Sequence, residues 1–174
     1  VPKIKSSIHT TLNKNNISDY IIFHLDEKWN RTNWKYDELN ELLNAIEKNT
    51  SKNIIITEGM IKTYFNEYIN IFKFNKINDS ILYKSTNFKT LFLIKNINSN
   101  DLFSLISKSK LVIQKHGGLV HMASSFNIPV IDIIYPGTEN FLKKWQPKSD
   151  KYIQITNKNY YDTSEKIIKF LKDY

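Results

Sequence analysis

This 174-residue sequence contains no cysteine, a single arginine, four glycines and four prolines. The absence of cysteine excludes disulfides and thiolate metal sites, and it is consistent with a reducing compartment. The few glycines exclude several glycine-rich phosphate loops, and no P-loop, dinucleotide fingerprint or Ser-His-Asp order is present. No apolar run reaches membrane-spanning length and no signal peptide is visible. We therefore expect a cytoplasmic protein, with peripheral contact at a membrane as an open alternative.

The net charge of +8 is carried almost entirely by lysine, because Arg31 is the only arginine. A basic surface attracts nucleic acid, anionic lipid or phosphorylated substrates. Recognition of nucleic acid normally uses arginine, and the lysines are spread along the chain, so we expect no nucleic-acid partner. A compositional bias towards lysine, asparagine and isoleucine explains the same charge without any function.

Strand-type apolar runs alternate with amphipathic helical patterns over most of the chain. This alternation predicts a single Rossmann-like α/β domain over residues 1–174, with a mostly parallel sheet of about six strands covered by helices on both faces. A polar leading segment spans residues 1–16, and residues 73–87 show no clear pattern. The predicted strands are 19–24, 53–57, 90–94, 111–114, 130–134 and 152–155. The predicted helices are 36–49, 60–72, 101–107, a short helix after 118, and a last helix over about residues 162–173.

Residues 110–138 are the most informative segment, and they predict strand, turn, helix and strand. Gly117 and Gly118 follow the first apolar run at once and allow a sharp turn into the helix. Asn127 and Pro129 end that helix. The free backbone N–H groups at its start are a natural place for an anion such as a phosphate. The apolar stripe of the helix consists of Leu119, Met122, Ala123 and Phe126.

The same segment resembles the C-terminal domain of the lipopolysaccharide heptosyltransferase-type glycosyltransferases, family 9. That family carries D-[ST]-G-x-x-H-L-A-A-A-x-x-x-P, and Gly118, His121, Ala123 and Pro129 coincide with the pattern. His116 replaces the family's Asp, and Gly117 its Ser or Thr.

Three weaker blocks occur in the family's order. The block H-P-G-x-S-W-P-T-K-R-W is similar to residues 24–34, where His24, Trp29 and Trp34 match. Thr57-Glu58-Gly59 occupies the place of the family's T-G-G, and an ordinary strand-to-helix turn is the better explanation of Glu58. Residues 135–138, Tyr-Pro-Gly-Thr, occupy the place of the family's F-G-P-T.

The resemblance implies the GT-B architecture of two facing Rossmann-like domains. This chain is then the C-terminal domain, which binds a nucleotide-sugar donor for glycan or lipopolysaccharide assembly. The general base and the acceptor site are expected in an N-terminal domain, so the isolated domain is expected to be inactive. We expect no cofactor. We also expect no metal, since His116 and His121 are five residues apart, the wrong spacing for two ligands on one helical face.

The expected substrate-binding residues are Lys28, Arg31, Thr32, His116, Gly117, Gly118, His121 and Thr138. The family's phosphate-contacting Lys aligns with Thr32, and the positive charge stands instead at Lys28 and Arg31. Both side chains are long enough to reach a pyrophosphate. The family's Asp holds hydroxyls of the donor sugar, and His116 occupies its place.

Simpler structural explanations remain open for several of these residues. Arg31 can belong to a solvated basic loop, His121 can be a histidine bonded to backbone, and Thr138 can close a turn. Two alternative functions also remain open: a non-catalytic domain that binds a nucleotide or sugar phosphate, and a basic nucleic-acid-binding domain.

Overall fold

The computed structural model describes residues 7–32, 34–59, 72–77 and 81–174. Its strands are β1 (Tyr20–Leu25), β2 (Asn53–Glu58), β3 (Phe74–Lys76), β4 (Leu82–Ser85), β5 (Leu91–Ile94), β6 (Val112–Lys115), β7 (Val130–Ile134) and β8 (Tyr152–Thr156). They form one eight-stranded sheet in the order β3-β4-β5-β2-β1-β6-β7-β8. The six strands from β5 to β8 in that order are parallel, and β4 and β3 extend the sheet as antiparallel neighbours.

Helices cover both faces of the sheet. The described helices are α1 (Ile8–Lys14), α2 (Tyr36–Lys48), α3 (Ser99–Ser107), α4 (Gly118–Ser125), α5 (Glu139–Leu142) and α6 (Tyr160–Asp173), with short 3-10 helices at Glu27–Thr32 and Lys143–Trp145. Side chains alternate between faces along a strand, so Ile113 joins the apolar cluster under α2 and α6, and Val112 the cluster under α1, α3 and α4. Both clusters consist mainly of fully buried residues, which explains why the strands are nearly continuous apolar runs.

The predicted α/β class with a mostly parallel sheet and helices on both faces is confirmed. The sheet has eight strands rather than about six, because residues 73–87 contain β3 and β4. These two strands are short and partly exposed, so they lack the apolar run that marks the parallel strands. The leading segment also contains a helix, α1, which buries only Ile8 and Leu12. Residues 60–71, most of the helix predicted for 60–72, lie outside the described part of the chain.

Two helices begin two residues before their predicted starts because asparagines cap them. The Asn98 side chain accepts a hydrogen bond from the backbone N–H of Asp101 at 2.9 Å, and Asn159 accepts one from Asp162 at 2.9 Å. A side-chain oxygen at the N-cap satisfies a backbone donor that the helix leaves free. The last helix therefore begins at Tyr160, and Asp162 lies within its first turn.

The loops at the carboxyl ends of the parallel strands meet at one edge of the sheet. They include residues 26–35 after β1, Gly59 after β2, 95–98 after β5, 116–117 after β6 and 135–138 after β7. We call this the carboxyl edge; it is where open parallel sheets bind ligands. Within the described residues, no helix is both long and apolar enough to cross a bilayer.

Gly59 permits a close contact between two of these loops, and its replacement tests that packing. A Cβ at residue 59 would lie 2.7 Å from the Asp26 Cβ and 2.9 Å from the Asp26 Cα. We expect Gly59→Ala to lower the free energy of unfolding by about 1–3 kcal/mol in urea denaturation, because backbone atoms must shift. Gly118→Ala is the control, since a Cβ there meets nothing within 4 Å. Equal stability of the two variants would contradict this packing.

Candidate functional site

A row of polar side chains crosses the sheet near its carboxyl edge. Each member is in register with the next one on the neighbouring strand. In the order of the strands β2, β1, β6, β7 and β8, the members are Thr57, His24, Gln114, Asp132 and Gln154. Residues in direct register on parallel strands point to the same face. The first four of these polar side chains are buried, and the buried residues around them are mainly apolar. Buried polar groups are normally hydrogen-bonded, so each member of this row requires either a partner or another reason for its burial.

His24 is a neutral, fixed member of this row. Its Nδ1 is 2.9 Å from the Thr57 hydroxyl, and its backbone carbonyl accepts a hydrogen bond from the Trp29 indole at 2.8 Å. Burial, with a smaller contribution from the nearby Lys28 and against an opposing effect of Glu27, lowers the pKa of His24 to about 4. The imidazole is therefore uncharged at neutral pH and presents a hydrogen-bonding edge without charge.

A cleft of about 670 Å³ lies next to His24, between the strand ends and the first turns of α3 and α4. Its lining includes His24, Glu58, Asn96, Gly118 and Met122. The Glu58 carboxylate accepts a hydrogen bond from the Asn96 backbone N–H at 2.6 Å and so connects the end of β2 to the loop after β5. The cleft is large enough for a small organic ligand, and it has both polar and apolar walls.

Gly118 lines this cleft at the start of α4, and neither Gly117 nor Gly118 has a positive φ. β6 ends at Lys115 and α4 begins at Gly118, so the chain turns here as expected; Gly117 is extended, and the turn does not need a left-handed glycine at this residue. The Lys28 ammonium lies close to the Gly117 backbone, because a Cβ at residue 117 would be 2.6 Å from the Lys28 Nζ. Gly118, the first residue of α4, faces open space and leaves the helix N-terminus accessible.

Lys28 brings a positive charge to the start of α4. Its Nζ forms an ion pair with the Asp26 carboxylate at 2.7 Å, and its side chain is 32% exposed. Its backbone carbonyl accepts a hydrogen bond from the Tyr135 hydroxyl, which joins the loop after β1 to the loop after β7. An ammonium group thus lies against the turn between β6 and α4, next to the free N–H groups of that helix.

His116 forms a pair with Asp132, a residue that the sequence did not identify. The His116 Nδ1 is 2.6 Å from one carboxylate oxygen of Asp132, and the same oxygen accepts a hydrogen bond from the Tyr152 hydroxyl at 2.6 Å. The Asp132 side chain is fully buried, whereas that of His116 is 21% exposed. An ionised carboxylate accepts a hydrogen bond from Nδ1–H, which leaves Nε2 as the free edge of the ring. The sequence signal was present, as one acidic residue within the buried run of β7.

The other oxygen of Asp132 has no hydrogen-bond partner within the described residues, and neither has the side-chain nitrogen of its register neighbour Gln114. The Tyr152 hydroxyl itself accepts a hydrogen bond from Gln154 at 2.9 Å, and Gln154 accepts one from Gln146 at 2.9 Å. These hydrogen bonds orient the Asp132 carboxylate, which in turn holds the Nδ1 side of the His116 ring. Burial, reinforced by Asp132, raises the pKa of Tyr152 far above its usual range.

Lys115 is a second buried charge that the sequence did not identify as special. It is fully buried at the end of β6, and its Nζ has no hydrogen-bond partner among the described residues. The Nζ lies 5.0 Å from the ring centre of Tyr135, 5.3 Å from that of Trp29 and 5.6 Å from that of Trp34. Cation–π attraction to three rings replaces part of the lost hydration. A lysine at the end of an apolar strand was the available sequence signal.

The remaining predicted site residues have different surroundings. Arg31 and Thr32 belong to the 3-10 helix after β1, and their side chains lie outside the described part of the structure. His121 is exposed on α4. The Thr138 hydroxyl donates to the carbonyl of Tyr135 at 2.6 Å, as expected of a residue that closes a turn. In the described residues, no group of three or more His, Asp or Glu side chains is arranged to hold a metal ion.

Titration of Lys115 gives a test of its burial. Burial lowers its pKa from 10.5 to about 7, against the opposing effects of Asp26 and Asp132. The folded state then holds fewer protons than the unfolded state between these values, so stability increases as the pH rises through this window. We expect a slope of up to about 1.4 kcal/mol per pH unit in urea denaturation between pH 7 and 9.

Lys115→Met should remove that slope, and Lys89→Met, at an exposed position, should retain it. Parallel pH profiles for the wild type and Lys115→Met would contradict the burial of a titrating amine at residue 115.

No protein-family model and no curated protein matches this sequence. Several solved structures are similar in fold. The E. coli ADP-heptose lps heptosyltransferase II matches with a TM-score of 0.66 and 16% identity, over 95% of this chain and 50% of that chain. The E. coli heptosyltransferase WaaC with ADP gives a TM-score of 0.66 and 12% identity, over 99% of this chain and 51% of that chain.

A UDP-GlcNAc 2-epimerase from Methanocaldococcus jannaschii, in complex with UDP-GlcNAc and UDP, is also similar. Its TM-score is 0.61 with 15% identity, over 95% of this chain and 42% of that chain. This chain thus spans about half the length, or less, of the structures that it matches. At these identities the likeness shows the fold alone. The chain has the Rossmann-like, GT-B glycosyltransferase-type fold of one part of these longer proteins.

Proposed function

We propose that this chain binds a nucleoside diphosphate sugar, as the C-terminal donor-binding domain of a family 9, heptosyltransferase-like glycosyltransferase. The observation that carries the proposal is the meeting of Lys28, His116 and the open N-terminus of α4 at the carboxyl edge. Structures that share the fold are named for complexes with ADP, UDP and UDP-GlcNAc, which supports a ligand of this class. Such an enzyme acts in glycan or lipopolysaccharide assembly.

The diphosphate is proposed to lie at the start of α4. The N–H groups of Gly118 and Leu119 point out of the helix N-terminus, where an anion is favoured. The Lys28 ammonium has three N–H donors, of which one is used by Asp26, so two remain for phosphate oxygens. Arg31 follows Lys28 by one turn of the same loop, and we propose that its guanidinium joins them.

The sugar is proposed to lie next to His116. The family motif has a carboxylate at this position, and here the carboxylate is supplied by Asp132 from the neighbouring strand, behind the imidazole. Because Asp132 holds Nδ1, the opposite ring nitrogen is the one available to a sugar hydroxyl or to the phosphate beside it. Gly117, Thr32, His121 and Thr138 surround these contacts in the proposal as secondary members of the site.

We assign no general base for sugar transfer to this chain. The base and the acceptor belong, in the proposal, to an N-terminal domain that faces the carboxyl edge. The domain alone then binds its donor and turns it over poorly. A non-catalytic nucleotide-sugar-binding domain would use the same contacts, and only an assay of transfer with an added acceptor domain separates the two functions. Steep salt dependence with nucleic acid, together with indifference to nucleotide sugars, would favour the nucleic-acid alternative.

Calorimetry with nucleoside diphosphates tests the proposed anion site. We expect ADP, GDP or UDP to bind, and the matching monophosphate to bind more weakly, because the second phosphate reaches Lys28. Lys28→Ala should weaken diphosphate binding by about 1.5 kcal/mol, roughly tenfold, for one charge-assisted hydrogen bond. Lys158→Ala removes an equal charge at an exposed position and should have little effect. No binding of any diphosphate at millimolar concentration would count against the proposal.

Substitutions of Arg31 and His116 should affect different measurements in a complete, active enzyme: the affinity for the diphosphate and the rate of transfer, respectively. The pyrophosphate is present in donor and product alike, so Arg31→Ala should weaken binding of both by about 1.5–3 kcal/mol. His116→Ala should lower the rate of transfer and leave the affinity for free nucleoside diphosphate nearly intact. Equal losses of diphosphate affinity in the two variants would show that the sugar pocket is misplaced.

A further inference from the structure

A buried amine lies among the aromatic side chains of two loops at the carboxyl edge. Lys115 is the last residue of β6, three residues before α4 begins at Gly118. Its side chain is fully buried, and its Nζ has no hydrogen-bond partner among the described residues. Burial of an unpaired amine costs free energy that the packing of its aliphatic stem does not return. A polar group kept at such a cost, beside a proposed anion site, is a candidate for a role in binding.

The rings around this amine connect it to Lys28, the proposed ligand of the diphosphate. The Lys115 Nζ lies 5.0 Å from the ring centre of Tyr135 and 5.3 Å from that of Trp29. Trp29 follows Lys28 directly in the chain, and the Tyr135 hydroxyl donates to the Lys28 carbonyl. A single tyrosine ring therefore reaches from the amine to the backbone of Lys28. It carries no charge that would screen a negative charge in the ligand.

The charges around Lys115 hold its amine between two protonation states. Burial lowers the pKa of Lys115 to about 7, and Asp26 and Asp132 oppose that effect. Each of these carboxylates also contacts another basic group, Asp26 the Lys28 ammonium and Asp132 the His116 imidazole. Near neutral pH the amine is therefore about half protonated, and an added negative charge nearby favours the protonated form.

Other titratable groups near the amine are separable from it. His24 of β1 has a pKa lowered to about 4 by burial, so it is neutral at pH 7 and above. On the face of α2 and α6, burial and then Glu41 raise the pKa of Tyr160 to about 12. The Arg31 side chain lies outside the described part of the structure, and a guanidinium keeps its charge throughout this range. His116 is an imidazole that meets the ligand in the proposal, so mutation must separate its protonation from that of Lys115.

We propose that Lys115 takes up a proton when an anionic ligand binds at the start of α4, so that a buried counter-charge is completed only in the complex. The inference rests on the proposed function, since it needs a diphosphate at that site. The free domain avoids part of the cost of a buried cation, and the bound ligand offsets that cost. One unit charge about 12 Å away, at an effective dielectric constant of about 20, favours the protonated amine roughly tenfold.

Calorimetry with ADP-, GDP- and UDP-glucose tests this proton uptake, because their bridging diphosphate loses no proton between pH 7 and 8.5. Binding at pH 7.5 is measured in Tris and in PIPES, whose ionisation enthalpies differ. The difference should correspond to uptake of about half a proton per bound ligand. The affinity should fall about fourfold from pH 7 to pH 8.5, because a neutral amine does not attract the diphosphate.

Lys115→Met should lose both effects. It should bind about fivefold more weakly than the wild type at pH 7 and nearly as tightly at pH 8.5, whereas a merely structural role would lower the affinity equally at both. Lys89→Met, at an exposed position, should keep the uptake and the pH dependence of the wild type. In NMR spectra of the wild type, the Cε signal of Lys115 follows the same proton directly. Its titration midpoint should move to higher pH when the ligand is added.

Three results would overturn this inference and leave the proposed function in place. One is binding without proton uptake, and another is a titration midpoint of Lys115 that the ligand does not move. The third is uptake that persists in Lys115→Met and disappears in His116→Gln, which would assign the proton to the imidazole. Failure of all three nucleotide sugars to bind at millimolar concentration would instead contradict the proposed function, and this inference with it.

Discussion

The parallel register of β1, β6 and β7 determines which side chains meet at the carboxyl edge. His24, Gln114 and Asp132 are distant in sequence, and they become neighbours only because each strand pairs with the next in one fixed register. A slip of one residue would move every polar member of the row to the opposite face, under α2 and α6, and apolar residues would replace them. The buried apolar clusters on both faces oppose such a slip. The chemistry of the edge therefore depends on the packing of the core.

The site concentrates buried charge, which a domain does not keep for stability alone. Among the described residues, one oxygen of the fully buried Asp132 has no hydrogen-bond partner, and neither has the Lys115 Nζ, which lies among aromatic rings. Each group costs desolvation free energy that its contacts return only in part. Lys115 is the last residue of β6, and Asp132 lies in the middle of β7. Perturbed and incompletely satisfied groups of this kind cluster at functional sites. The His116 side chain, which is 21% exposed, contacts the buried Asp132 carboxylate.

The sequence predicted the fold and the turn before α4 because both depend on local patterns. Alternating strand and helix periodicity needs no knowledge of distant contacts, and the His116-Gly118 segment is contiguous. Asp132 and Lys115 were not predicted, because their roles depend on partners on other strands and loops, and each appears in sequence as one polar residue in an apolar run. The antiparallel pair of β3 and β4 was missed for a related reason: short, half-exposed strands are defined by their neighbour rather than by their own residues.

The most direct test of the account is the location of a bound nucleoside diphosphate, mapped by amide NMR of the chain with ADP or UDP. The account predicts the largest shifts at Gly117, Gly118 and Leu119, with smaller changes along the loop after β1. A second groove, of about 730 Å³, lies at the opposite edge between Lys108, Lys151 and neighbouring residues, and it provides an internal comparison. Shifts centred on that groove, with the start of α4 unchanged, would contradict the central claim.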